Sequence, residues 1–383
     1  MKNRGATLLV AVVVIAMALV PAAGAETIKI GAILAVTGPA SFLGGPEART
    51  LEMLVEQTNA AGGIGGKQVE LILKDSGASP EKAISFAKQL IEEEQVVAVL
   101  GPSTSGETMK IKSLFEQAGT PLISCAAAEL IVNPVARYVF KTPQKDSYAV
   151  RKIFQTMQGM GVSKIAVLAG NTGFGKAGKE QLVKIAPEMG IAVVEAEVYD
   201  AKSKDLSAVV AKIKANPDVQ AVVNWSIVPA QAILAKNMRQ AGWEVPLFQS
   251  HGFGNIKYVE AAGAAAEGII FPCGRMLIAD RLPDSHPQKA RLMDYIAAYE
   301  SQYGEPASSF GGYAYDAFII LKTAIEQAGT DDRAKVRDAI EGIQDLPGIS
   351  GVFNFSPEDH NGLDLDSFTM ITVKDGQFVP YEQ

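Results

Sequence analysis

The strongest constraint on the fold is a regular alternation of short β-type runs with amphipathic helical stretches, and the alternation occurs twice. Thr27–Leu34 alternates polar and apolar residues and then turns wholly apolar, the pattern of a strand entering a core. Apolar residues recur near helical spacing over 46–60, and Gly62-Gly63 stops the pattern. A strand over 68–74 follows, and Ser79-Pro80 opens the next helix with an N-cap residue and Pro at its first position. Strands at 96–100 and 121–125, with a helix after Ser105 between them, complete the first series. After a break at 141–145 the pattern restarts, with strands over 164–169, Ala192–Tyr199, 219–224 and 246–249. Helices over 176–189, 206–215 and 229–241 separate them. Beyond residue 271, helices are expected over 288–303, 312–328 and 333–343, and strands over 351–381. Such alternation buries mostly parallel strands beneath helices on both faces. The expected fold is α/β, two doubly wound parallel-sheet lobes. No flexible linker separates them, so extended crossing strands rather than a tether should join them.

The length of 383 residues agrees with two cores, since single cores stop growing at about 250–300 residues. Residues 1–25 have the form of a secretory signal peptide: Lys2 and Arg4, an apolar-and-small run over 6–20, then Ala23-Gly24-Ala25. A membrane-crossing helix needs roughly 20 apolar residues, so cleavage after Ala25 is expected rather than anchoring. Glu26 follows, where a lipoprotein would carry Cys. The mature chain is therefore expected to be periplasmic, soluble and monomeric. The formal net charge of the full sequence is −7, and −9 once Lys2 and Arg4 leave with residues 1–25; without a basic run, this argues against nucleic acid as a partner. Cys125 and Cys273 are expected as two buried, unpaired thiols.

Open α/β sheets bind ligands where a strand ends and a helix begins, because backbone N–H groups and the helix dipole point there. Three such junctions stand out, at 101–106, 124–128 and 170–175. The first is rich in hydroxyls beside helix N–H donors, which suits a carboxylate or, more blandly, helix capping. It also approaches the nucleophile elbow G-x-S-x-G around Ser103, but Ser105 replaces the final Gly and His251, His286 and His360 specify no triad. The third contains Gly173-x-Gly175-x-x-Gly178, with Glu195 and Glu197 about 20 residues on, the spacing of a dinucleotide fingerprint. It nearly matches a phosphate loop too, but Ala177 stands where magnesium needs a hydroxyl. The expected extracytoplasmic location speaks against a nucleotide, so an NAD-binding exported enzyme is the minor alternative. No pair of His or Cys has metal-ligand spacing, and no cofactor or metal is expected.

In order along the chain, several pieces resemble the leucine/isoleucine/valine-binding family of periplasmic receptors, the solute-binding proteins of ABC importers. They are Ile30-Gly31-Ala32, Thr37-Gly38-Pro39, the run at 59–66, Asp75, Val99-Leu100-Gly101-Pro102, the strand at 120–124 and Ala265-Ala266-Glu267-Gly268. The resemblance spans 26–383 and implies a type I periplasmic-binding fold, with lobes 26–143 plus 276–349 and 144–275 plus 350–383 joined by three crossovers. It implies a binding protein, not an enzyme, which closes on a small ligand and presents it to an inner-membrane ABC permease. By the matching motifs, Ser103 and Thr104 would hold a carboxylate, and the backbone of Ala126 and Ala128 would meet the ligand's polar end. Phe42 or Leu43 would form part of one wall, with Phe174, Trp225, Ile227 and His251 closing from the other lobe. Ala128 stands where the family's amino-acid receptors usually carry a hydroxyl, and His251 where they usually carry an acid. A buried ammonium would thus lack its usual counter-charge. An aromatic or apolar carboxylate is therefore expected, with a branched-chain or other aliphatic amino acid as the alternative. A sensory receptor on the same fold is the alternative of another class.

Overall fold

A computed structural model describes residues 27–382. The signal peptide expected over 1–25, and its cleavage after Ala25, lie outside the described residues. The first sheet is built from β1 (Thr27–Leu34), β2 (Gln68–Asp75), β3 (Ala98–Leu100), β4 (Leu122–Ser124) and β5 (Val139–Lys141). Its order is β2-β1-β3-β4-β5, and every pairing is parallel. Helices α1 (Ser41–Ala60), α2 (Pro80–Lys88) and α3 (Ser105–Ala118) alternate with these strands. The chain then leaves through residues 142–145 into α4 (Asp146–Gly159), which packs on the second sheet.

That sheet takes β6 (Lys164–Gly170), β7 (Ala192–Tyr199), β8 (Ala221–Trp225), β9 (Leu247–Gln249) and β10 (Ile270–Cys273). Between them run α5 (Gly173–Ile185), α6 (Ser207–Lys214), α7 (Ala230–Gln240) and α8 (Ile256–Ala262). The chain returns to the first lobe as α9 (Lys289–Tyr303), α10 (Ser309–Ala328) and α11 (Arg333–Glu341). Of these, α10 packs along α1. A two-residue pairing of β11 (Leu346–Pro347) with β12 (Val352–Phe353) precedes the last passage. Finally β13 (Thr369–Lys374) and β14 (Gln377–Pro380) add an antiparallel edge to the second sheet, ordered β14-β13-β10-β9-β8-β6-β7. The second sheet is therefore mixed rather than wholly parallel, because a hairpin needs no crossover helix.

The three passages between the sheets touch one another. Gln144 Nε2 donates to Ser350 O at 2.9 Å, and a Cβ on Gly274 would come 3.3 Å from that same nitrogen. Thr142 Oγ1 donates to Tyr313 O at 2.9 Å, while both carboxylate oxygens of Asp316 accept from Ile349 N and Ser350 N. Close-packed, hydrogen-bonded crossings of this kind limit relative lobe motion to rotations about a few backbone torsions.

Helix α1 begins five residues earlier than the apolar period implies, because Gly44 and Pro46 disguise its first turns. A side chain on Gly44 would collide with the Ala35 backbone, so glycine lets the helix lie against the end of β1. Pro46 cannot donate to Phe42 O, four residues back. Asn255 Nδ2 of the other lobe donates to that carbonyl instead, at 3.0 Å. Cys125 and Cys273 are both buried and unpaired. Among the described residues no helix is long and apolar enough to cross a membrane.

Candidate functional site

Between the lobes lies a narrow cavity. The first lobe contributes Leu43 of α1, Ser103 and Ser105 from the β3–α3 junction, and residues 125–127 after β4. It also contributes Phe310 and Tyr313 from the start of α10. The second lobe contributes Phe174, Ile227, His251 and Gly252. Ser103, Phe174 and His251 sit just beyond the carboxyl ends of β3, β6 and β9, so parallel strand direction alone brings them to one cleft.

The hydroxyls on the first wall have defined partners. Ser103 Oγ accepts from Ala35 N at 2.9 Å and makes a very short bond with Glu47 Oε2. Ser105 Oγ accepts from Ala128 N at 3.1 Å, and Ser124 Oγ accepts from Ala126 N at 3.1 Å. Thr104 does not line this cavity. It caps α3, accepting from Glu107 N and donating to Glu107 Oε2, the reciprocal Thr-x-x-Glu box. Its place on the cavity wall is taken by Ser105. Likewise Leu43 rather than Phe42 faces the cavity, and Phe42 packs edge-on against Tyr258 with centroids 5.3 Å apart. Ala126 is on the wall with Ala127, whereas Ala128 is turned away by its bond to Ser105.

The second wall is a cluster of rings. Phe174 and His251 meet edge to face at 5.2 Å, and Trp225 lies behind both, 5.6 Å from Phe174 and 5.5 Å from His251. Trp225 is fully buried and supports the wall without lining it; its Nε1–H has no protein acceptor. His251 follows β9 in a short turn capped by Ser250. Burial and the nearby Lys141 ammonium push its pKa down to about 3, so the ring is neutral. Neither ring nitrogen has a protein hydrogen bond. Asp146 Oδ1, at the start of α4, lies 3.7 Å from His251 Nε2 and is itself unpartnered.

Several groups around the cleft escape a sequence reading. Lys141 is wholly buried because its ammonium donates to Ala127 O, Pro143 O and Gln144 O at 2.7–2.9 Å, tying the first wall to a crossing. Burial pulls its pKa down and raises that of Asp146, and the two charges partly offset these shifts. Glu47 did leave a signal: it shares a helical face with Leu43, Leu51 and Leu54, an acid within an apolar stripe. Phe310 and Tyr313 sit one turn apart after the Ser308 cap, and only the packing of α10 against α1 shows that they face the cleft.

The dinucleotide-like glycines have packing reasons. A side chain on Gly175 would strike Gly170 O, and one on Gly178 would strike the Trp225 ring. At Gly173 a Cβ would come 2.7 Å from Gly106 N of the other lobe. The three glycines thus pack a helix on its sheet and let the lobes meet. Among the described residues no cluster of His, Cys, Asp and Glu could hold a metal ion.

The comparisons with known proteins agree with this architecture. Residues 27–377 match the model of the family described as periplasmic binding protein. A leucine-, isoleucine-, valine-, threonine- and alanine-binding protein of Pseudomonas aeruginosa is 28% identical over 327 residues, 82% of each chain. An extracellular ligand-binding receptor of Rhodopseudomonas palustris superposes with a TM-score of 0.87 at 28% identity, covering 92% of this chain and 99% of that one. A branched-chain amino acid transporter substrate binding protein of Streptococcus pneumoniae, solved in complex with isoleucine, gives 0.81 at 26% identity, covering 92% and 98%. These relatives are solute-binding proteins, not enzymes, and with a family match running through both lobes the chain belongs to the periplasmic binding protein family.

Proposed function

We propose that the protein captures a small aromatic or apolar carboxylate between its lobes and delivers it, by hinge closure, to an ABC permease of the inner membrane. The observation that carries this reading is the composition of the cavity wall. Two serine hydroxyls stand at the N-terminus of α3, apolar groups and rings line the middle, and a neutral imidazole closes the far side, with no acidic oxygen on the lining. A carboxylate gains from hydroxyls and helix N–H groups. An ammonium would find no anion in direct contact. Of the residues named from the sequence, Ser103, Ala126, Phe174, Ile227 and His251 would touch the ligand, joined by Leu43, Ser105 and Tyr313. The moving units would be 26–143 with 276–349 and 144–275 with 350–383, pivoting where the three crossings touch.

A second reading, a branched-chain amino acid, is favoured by Asp146, whose unpartnered carboxylate oxygen lies just behind His251. It is also favoured by what the relatives' names say they bind. A thermal-shift screen separates the two, because a ligand that binds only the folded form raises the melting temperature. A shift with benzoate or phenylacetate and none with leucine or valine is the expected result. A shift with leucine or valine alone would assign the ammonium to Asp146 and overturn the aromatic-acid reading.

A further inference from the structure

Behind Ser103 sits a carboxyl group with no counter-charge. Glu47 is fully buried, bonds Ser103 Oγ through Oε2 and leaves Oε1 without a partner. The titratable groups facing it are Glu107, Cys125 and Tyr313, with Asp316 beyond them, and none of these is a cation. Burial without a cation disfavours the ionised form, and the Glu47 carboxyl is accordingly pushed up to about 8.

The protonation state matters because Ser103 Oγ has only one proton to give and two lone pairs. Ala35 N–H occupies one lone pair. An ionised Glu47 can only accept, so it would take the hydroxyl proton and leave the cavity facing a lone pair. A protonated Glu47 donates to the second lone pair, and the Ser103 O–H is then released toward the cavity beside Ser105. We propose that protonated Glu47 is a positioning residue that aims the Ser103 hydroxyl at the ligand's carboxylate, so that anion capture and protonation of Glu47 are one coupled event. The inference rests on the carboxylate reading above and deepens it: the subsite selects an anion by keeping the acid behind it neutral. Above the free protein's value for Glu47, capture must draw a proton from solvent, and affinity falls by about tenfold per pH unit.

Glu47→Gln tests this, since its amide always donates and never titrates. The first measurement needs no ligand. Because the folded pKa of Glu47 is raised, its stabilising proton is fully held at low pH and lost as pH rises toward about 8. The melting temperature of the wild type should therefore fall relative to E47Q over that interval and run parallel above it. The infrared carboxylic C=O band at neutral pH, to which the buried Asp146 and Asp316 also contribute, should be weaker in E47Q than in the wild type. An unchanged band together with parallel melting curves throughout would overturn the proposal. If E47Q fails to fold, Glu47→Met takes its place in the infrared comparison, a weaker band supporting the proposal and an unchanged one overturning it.

The second measurement titrates benzoate and, separately, leucine between about pH 6 and about pH 9. Wild-type affinity should drop by about fivefold over the last pH unit while that of E47Q stays flat, and Glu47→Ala should bind weakly at every pH. Identical pH profiles for wild type and E47Q would overturn the coupling. Binding of neither acid would overturn the carboxylate reading and the coupling with it, while the ligand-free comparison would still decide whether Glu47 carries the proton.

Discussion

On the first wall of the cleft the serine hydroxyls are committed within their own lobe, Ser103 to Ala35 and Glu47, Ser105 to Ala128, and Ser124 to Ala126 and Thr108, while the Tyr313 hydroxyl has no protein partner. On the second wall the polar atoms of Trp225 and His251 have no protein partner. Buried polar groups left without partners cost about 1–3 kcal/mol each. The serines of the first wall therefore hold their geometry without help from the other lobe, while Tyr313 on that wall and His251 on the second keep polar atoms that an occupant can satisfy. Under the proposed function the contrast would also divide the work: the first wall's donors would hold a carboxylate, and the ring cluster would decide which side chain fits beside it.

The sharpest way to break this contrast is Trp225→Ala, which removes the support under Phe174 and His251. A loss of about 3–5 kcal/mol is expected in urea unfolding, and a cost below about 1 kcal/mol would mean that the rings do not hold the second wall. Ser105→Ala leaves Ala128 N–H without its acceptor. It should cost about 1–3 kcal/mol in stability and weaken ligand binding as well. His251→Ala should weaken binding by about tenfold with an unchanged melting temperature; the reverse pattern would make the imidazole a structural group. Gly173→Ala sets a methyl group against the Gly106 backbone across the lobe boundary. Affinity should fall by about tenfold without loss of stability, since only the closed population is penalised. The smallest effect is expected from Thr104→Ala, about 1 kcal/mol of stability through the lost cap, with affinity unchanged in the same titration.

The fold was legible wherever a periodic pattern ran long enough to be recognised. Strands such as Thr27–Leu34 and the helix–strand alternation from 164 to 249 announce themselves by burial on fixed faces. The stretch from 126 to 163 holds two unlike cases: α4 carries a helical stripe in Val150, Ile153, Phe154 and Met157 that went unread, whereas β5 is only three residues long and ends in Lys141, a residue type rarely buried. Its burial depends on three carbonyls that come together only in the folded chain. At the site, strand ends pointed to Ser103 and Phe174, since strand direction fixes which end meets the cleft, and the family resemblance pointed to Ile227 and His251; all four line the cavity. The shifts of one residue, from Thr104 to Ser105 and from Ala128 to Ala127, and the open choice between Phe42 and Leu43 have a common origin. Sequence shows that a turn or a helix start exists but not its rotation about its own axis, and neighbouring residues there point in different directions.

The proline inside α1 has a consequence for how readily the molecule shuts. Any other residue at position 46 would satisfy the Phe42 carbonyl within the helix, whatever the second lobe was doing. With proline there, that oxygen bonds Asn255 of the other lobe, and it would turn to water if the lobes parted. An exchange of this kind is worth about 0.5–1.5 kcal/mol net, a bias of about two- to twelvefold in the open–shut ratio. Under the proposed hinge closure, the gap in one helix would thus act as a weak spring on the resting poise of the receptor before any ligand arrives.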